Sequence, residues 1–256
     1  MKNRTLLSPF YLGDALPGLE PLAKPHWFVN GPLPLTSDSL SGMNAVHARI
    51  ADFVSRTVSE NLRPISIAGD CCTAMGALAG LQRAGIDPYL IWFDAHGDFN
   101  TGETSPSGFV GGMPLAMIVG RGEQTMVRSL GLRTLPEERV ILCDARDLDP
   151  GEREAVAASG VTHISKPEAL LDHSLPEGPL YVHFDTDVVC SDESPAHNYP
   201  APGGPSSAIL RAVFAKLAES GRVIAVSLAA WNPALDKDGR SETISMSLLQ
   251  TLTGAV

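Results

Sequence analysis

Cysteine is scarce in this chain and poorly placed for crosslinking. The 256 residues hold four: Cys71, Cys72, Cys143 and Cys190. Adjacent Cys71 and Cys72 exclude a C-x-x-C zinc spacing, and so few cysteines fit a reducing compartment better than a disulfide framework. Long apolar runs are also missing. The opening MKNRTLLSPFYLGD is broken by Ser8 and Pro9, which leaves it too short for a secretory h-region. Nothing approaches the ~20 apolar residues of a membrane span. A cytoplasmic protein with no membrane partner is expected. Basic residues are outnumbered, 19 Lys and Arg against 29 Asp and Glu, for a net charge of −10. Such a surface repels phosphate backbones and argues against a nucleic-acid partner. Repeats and low-complexity tracts are absent, so one domain over residues 1–256 is expected, long enough to bury a large core.

What is present is alternation. Short apolar runs precede a polar or glycine residue at Ile65–Ile67, Tyr89–Phe93, Val140–Leu142, Leu180–Phe184 and Val223–Val226. Nearly continuous apolar runs suit strands buried on both faces, as in a parallel sheet. Helical spacing fills the intervals, over about Ser39–Leu62, Leu78–Arg83, Ile209–Glu219 and Glu242–Leu252, with Gly85 and Gly221 where C-cap glycines belong. This pattern predicts a three-layer α/β/α fold around a mostly parallel sheet. The Pro- and Gly-rich segments Pro17–Thr36 and Pro195–Pro205 read as surface loops, the second placed to wall a site.

Two clusters carry the chemistry. Asp94-Ala95-His96-Gly97-Asp98 directly follows one apolar run, and Asp185-Thr186-Asp187 follows another. Ligands of open parallel sheets bind outside the carboxyl ends of strands. Residues i and i+2 of a strand share a face, so each cluster can aim two carboxylates at one point. Carboxylates that close repel one another, and a cation resolves the conflict. Either cluster alone also reads as a loop cap or solvated turn; the two together, each ending a strand, point to metal. Oxygen and imidazole donors suit Mn²⁺, with Zn²⁺ or Fe²⁺ as alternatives. His26, His47, His163 and His173 show no ligand spacing, and Cys71 has no His–Asp partner that would make it a nucleophile.

The same residues resemble the motifs of the arginase and agmatinase (ureohydrolase) family. Asp94–Asp98 is similar to the DAHxD motif, and Phe184-Asp185-Thr186-Asp187 to the second, D-x-D motif. Ala68-Gly69-Asp70-Cys71 resembles GGDH with Cys71 in place of its histidine, and Ala230-Trp231-Asn232-Pro233 resembles an E-V-N-P-like stretch. These four occur in family order over about residues 65–235. The segment from His96 to Met113, Cys71 and His183 are closest in motif to the family's Nω-hydroxy-L-arginine-hydrolysing branch. The resemblance implies two divalent metals. Asp94 and Asp185 would be shared, Cys71 and Asp98 would complete the first shell, and His96 and Asp187 the second. It also implies that Asp98 passes a proton to the leaving amine. Asn100 and Ser107 would hold an amino acid's carboxylate, and Asp149 and Glu152 its ammonium. Asp149-Pro150-Gly151-Glu152 reads equally well as a helix start.

The departures from the family pattern narrow the substrate. Cys71 brings a softer donor that favours Zn²⁺ or Fe²⁺ over Mn²⁺. Gly111 stands where arginases have a proton-shuttling His, Ala230 where both they and the hydroxyarginine-hydrolysing branch have the anchoring Glu, and Cys190 where D-x-D-x-x-D ends in Asp. A buried guanidinium without a carboxylate partner is costly, which favours a less basic substrate such as an N-hydroxyguanidine. His197 reads as an exposed loop histidine, with a shuttle role as the alternative, and Trp231 either packs or covers the space beside Ala230. The expected function is hydrolysis of a linear C–N bond in an amino-acid-like amidine or guanidine. Hydroxyarginine, giving ornithine and hydroxyurea, is the sharpest candidate. The alternatives are a hydrolase of a formimino or amide compound and a non-catalytic binding protein of the same fold. The resemblance also implies a homo-oligomer.

Overall fold

A computed structural model describes residues 1–33 and 39–254. Among the described residues ten strands form in chain order: β1 (Asn3–Ser8), β2 (Phe10–Tyr11), β3 (Asp14–Ala15), β4 (Phe28–Val29), β5 (Arg63–Ala68), β6 (Tyr89–His96), β7 (Val140–Asp147), β8 (Thr162–Ile164), β9 (Leu180–Asp185) and β10 (Val223–Ala229). The α-helices among the described residues are α1 (Ser39–Ser59), α2 (Ala74–Arg83), α3 (Pro114–Ile118), α4 (Thr125–Ser129), α5 (Pro150–Ala157), α6 (Ser207–Glu219) and α7 (Arg240–Thr253). β2 and β3 make a small hairpin. The other strands make one eight-stranded sheet in the order β4-β1-β5-β10-β9-β6-β7-β8, and every pairing in it is parallel.

Alternation along the strands divides the core into two layers. Leu90 and Trp92 of β6 face one layer, where Val46 and Ile50 of α1 and Met75 and Leu78 of α2 pack. Ile91 and Phe93 face the other, with Leu210 and Phe214 of α6 and Leu248 and Leu252 of α7. Helices therefore cover both faces, as the buried apolar runs require. The chain runs outward from β6 through β7 to β8, then returns to β9 on the other side of β6. The direction of the strand order reverses there, which is where open α/β sheets leave a crevice. Register sets the level of that crevice. Phe93 pairs with Phe184, so Asp94 and Asp185 leave the sheet together, and Ala229 pairs with Asp185, so Ala230 follows at once.

All five expected strands and all four expected helices form, with shifted ends. α1 stops at Ser59 instead of reaching Leu62, because Asn61 turns the chain with φ +59°, a conformation asparagine tolerates. Gly85 and Gly221 do take positive φ, 80° and 67°. Segment 195–205 is a loop. The segment expected to be a loop from Pro17 to Thr36 is more ordered: Pro17–Leu22 is a 3-10 turn and Phe28–Val29 pairs with β1. Its last three residues lie outside the described ones. No helix among the described residues is long and apolar enough to cross a membrane.

Candidate metal centre and substrate cavity

The carboxyl ends of β5, β6, β9 and β10 open onto a cavity of about 580 Å³. The local chain explains how each donor gets there. β6 places Asp94 on the same face as Trp92, whose indole Nε1 donates to Asp94 Oδ2 at 3.1 Å, while the His96 amide donates to Oδ1 at 2.7 Å. β9 ends at Asp185, whose Oδ1 accepts from the Asp187 amide at 2.8 Å and so caps a 3-10 turn over Thr186–Val188. That turn swings Asp187 toward β6, where its Oδ1 accepts from the Ala95 amide at 3.1 Å. After β5, a 3-10 turn over Cys71–Thr73 delivers Cys71, and its thiol donates to Asp185 Oδ2 at 2.6 Å.

Two groups of donor atoms result, each with its atoms within 4.8 Å of one another. One holds Cys71, Asp94, His183 and Asp185; the other holds Asp94, His96 and Asp187. Asp94 belongs to both. Cys71, Asp94, His96, Asp185 and Asp187 are thus brought together. Asp98 lines the same cavity but stands in neither group. Its backbone has φ +50°, its carbonyl accepts from the amides of Leu115 and Ala116 at the start of α3, and its Oδ2 is buried with no partner.

The electrostatics are those of crowded acid. Burial, and then the neighbouring carboxylates, push Asp98 and Asp185 well above the ordinary carboxyl value. Burial also lifts Asp94 to about 6. His96 moves the other way from most buried histidines. Burial opposes its charge, but Asp187 at 3.1 Å and Asp94 at 3.4 Å hold it protonated up to about 12. Burial likewise works against ionised Asp187, yet His96 keeps its carboxyl below the usual range. Charged imidazole here offsets carboxylate charge much as a cation would. The donor set fits divalent metal: oxygens and one imidazole in one group, a thiol and an imidazole added in the other, and buried Asp98 Oδ2 and His183 Nε2 left without hydrogen bonds.

The expected substrate residues converge on the same cavity. Asn100 Nδ2 donates to Asp149 Oδ2 at 2.9 Å. Glu152 is buried and engaged at both oxygens, accepting from the amides of Phe99 at 2.8 Å and Asp149 at 3.3 Å. Asp149 and Glu152 together form the capping box of α5, so the helix-start reading is realised and ties that helix to the loop after His96. Gly97 makes this possible, since a Cβ there would lie 2.6 Å from Glu152 Oε1. Ser107 sits on the outer wall and accepts from the Phe109 amide at 3.2 Å. Gly111 and Ala230 both line the cavity, and Ala230 turns the chain with φ +69°.

One reading changes and one open alternative is settled. His197 is buried, not exposed, because its backbone bridges to Trp231 and its Nε2 lies 3.1 Å from Thr186 Oγ1. Trp231 packs into the core with its Nε1 donating to Asp236 at 2.9 Å, so it does not cover the space beside Ala230. Sequence reasoning missed Arg146, which pairs with Asp144 and donates to the carbonyls of Asp187 at 3.0 Å and Ala201 at 3.1 Å. It pins the loop after β9 against β7, and nothing in its local sequence signals that. Tyr11, Phe109 and Tyr199 at the mouth were also missed; the rings of Phe109 and Tyr199 lie 5.2 Å apart.

A crevice at the strand reversal of a parallel sheet, with two donor groups sharing one buried carboxylate, defines a metallohydrolase class of site. The profile of the arginase family matches residues 21–254, and the chain belongs to that family; it is a ureohydrolase. It is 30% identical over 232 residues to the arginase of Bacillus subtilis (strain 168), covering 85% of this chain and 78% of that one. It is 29% identical over 252 residues to the N(omega)-hydroxy-L-arginine amidinohydrolase of Streptomyces lavendulae, covering 97% and 85%. Identity to the hydroxyarginine enzyme is therefore no higher than to the arginase, and the branch suggested by the motifs is not singled out. The crystal structure of arginase from Bacillus subtilis superposes with a TM-score of 0.82 at 27% identity, covering 100% of this chain and 99% of that one.

Proposed function

We propose that the chain hydrolyses the linear C–N bond of an amino-acid-like amidine whose reacting group is less basic than a guanidinium, with an N-hydroxyguanidine such as Nω-hydroxy-L-arginine the leading candidate. One observation carries the reading: two donor groups share buried Asp94 at the floor of a cavity whose wall at position 230 is a neutral alanine. A cationic guanidinium would find no carboxylate partner at position 230, and a buried guanidinium left without its anchor is costly. The relative from Streptomyces lavendulae supports the substrate class by its name.

Two divalent cations, Mn²⁺ or the softer Zn²⁺ or Fe²⁺ that Cys71 favours, would be held by the donor groups and would supply Lewis-acid charge and water activation near neutrality. The chain's own residues do the rest. Asp98, with its Oδ2 buried and unpartnered, takes the proton of the attacking water and returns it to the departing nitrogen. The C–N bond to the substrate's chain breaks, leaving an amine and a urea or hydroxyurea. Asn100 and Ser107 offer neutral donors for an α-carboxylate, and Asp149 offers a carboxylate to the α-ammonium.

Metal content per chain, followed by turnover of arginine, agmatine, hydroxyarginine and formiminoglutamate by the loaded protein, tests this. Two cations per chain with hydroxyarginine turned over well ahead of arginine is the expected result. Arginine as the preferred substrate would overturn the substrate reading, and the absence of bound metal after loading would overturn the metal-dependent one.

A further inference from the structure

One member of the first donor group, His183, has so far been given no orientation, tautomer or supporting residues. His183 lies two residues before Asp185 on β9, so the two share a face. Its ring is wholly buried and lies against Trp92, with centroids 3.8 Å apart and planes 31° from parallel. Nδ1 is 2.8 Å from Ser227 Oγ, and Ser227 Oγ is 2.7 Å from the Tyr181 hydroxyl, which reaches the Ala74 carbonyl at 3.4 Å. Nε2 has no hydrogen-bond partner. The polarity of this chain follows from its far end. A carbonyl only accepts, so Tyr181 donates to Ala74. Ser227 then donates to Tyr181, and its remaining capacity is to accept from Nδ1–H. The tautomer so fixed leaves the lone pair on Nε2, in a ring that stacking and the hydrogen bond hold from turning.

We propose that His183, through Nε2, is a ligand of the cation held by Cys71, Asp94 and Asp185, and that Ser227 and Tyr181 are the positioning residues that orient it. The proposal rests on the metal-dependent reading above and deepens it. It makes the two positions chemically unlike. The first offers a thiolate, an imidazole and two carboxylates, a four-donor set suited to tetrahedral Zn²⁺. The second offers two carboxylates and His96, a harder set suited to Mn²⁺. Buried His47 is a natural control. Its Nδ1 is also unpartnered, but it stands in neither donor group.

The test uses the full chain loaded with Co²⁺ or Zn²⁺ and examined by X-ray absorption at the metal edge. With two cations bound, His96 and His183 give an average of one imidazole per metal; His96 alone gives half of that. His183→Gln should lose the first cation, together with the sulfur-to-cobalt charge-transfer band that Cys71 contributes. Ser227→Ala, which keeps the imidazole but frees its orientation, should weaken binding at that position by about 10–100-fold. His47→Gln should leave both cations in place. Two bound cations with half an imidazole per metal, or a His183→Gln protein with unaltered affinity and spectrum, would overturn the assignment and leave the metal-dependent reading standing. A native chain that takes up no cation would remove both. Should His183→Gln fail to fold, the native spectrum and Ser227→Ala still decide.

Discussion

At the scale of single residues, Cys71 is the informative departure. Its thiol donates to Asp185 Oδ2 at 2.6 Å, and burial followed by the charges of Asp185, Asp98 and Asp94 pushes its pKa well up. A bound cation reverses that preference, because a coordinating thiol is deprotonated outright. Cys71→His should therefore move the chain's preference toward Mn²⁺. Competition between Zn²⁺ and Mn²⁺ should shift by about tenfold or more, the change that roughly 1.4 kcal/mol produces; unaltered selectivity would remove Cys71 from the ligand set. Asp94, His96, Asp185 and Asp187 were legible in the sequence because each follows an apolar run and strand ends are where parallel sheets bind. His183 was not legible as a donor. It sits inside an apolar run, and only the sheet partners Trp92 and Ser227, distant in sequence, decide which way its second nitrogen points.

At the scale of elements, helix α2 shows what the site rests on. Every residue from Ala74 to Gln82 is buried, and two of them are glycines facing α1. A Cβ at Gly76 would lie 2.6 Å from the His47 carbonyl oxygen, and one at Gly80 would lie 2.6 Å from that of Ala51. This close approach seats α2 immediately after the turn that carries Cys71. Gly80→Ala gains up to ~1 kcal/mol in helix propensity, but overpacking against backbone should cost roughly 1–3 kcal/mol. Urea denaturation should show net destabilisation; equal or greater stability would mean that α1 can retreat. The central strands were readable from composition because burial on both faces leaves an unbroken apolar run. Strands β4 and β8 have two and three residues, too few to show a period, and α3 and α4 have five each.

At the scale of the molecule, the concentration of buried acid links folding to pH and metal. Burial lifts Glu152 to about 7 and Asp70, Asp94 and Asp144 to about 6. A carboxyl with a raised folded pKa binds its proton more tightly when folded. Its contribution to stability is full below the unfolded value and is lost as pH rises through the folded one. Burial lowers His47 to about 4 and His183 to about 3, which works in the opposite direction below about pH 6.5. The acids outnumber them, so metal-free protein should melt at lower temperature near pH 8 than near pH 5. Divalent cation should raise the melting temperature more at the higher pH, since it binds the ionised ligands of the folded state. An equal rise at both values in calorimetry would disconnect the acid cluster from metal binding.

Gly111 and Phe109 carry a consequence for the route by which this chain can change. A Cβ at position 111 would overlap the Phe109 ring, so a side chain there requires that ring to shift, and the ring meets Tyr199 across the mouth. The two positions are therefore coupled. A shorter side chain at 109 should make room at 111, whereas a side chain at 111 with Phe109 in place has to move the ring. A side chain introduced at 111 therefore acts on the entrance through residue 109 as well as on the cavity itself.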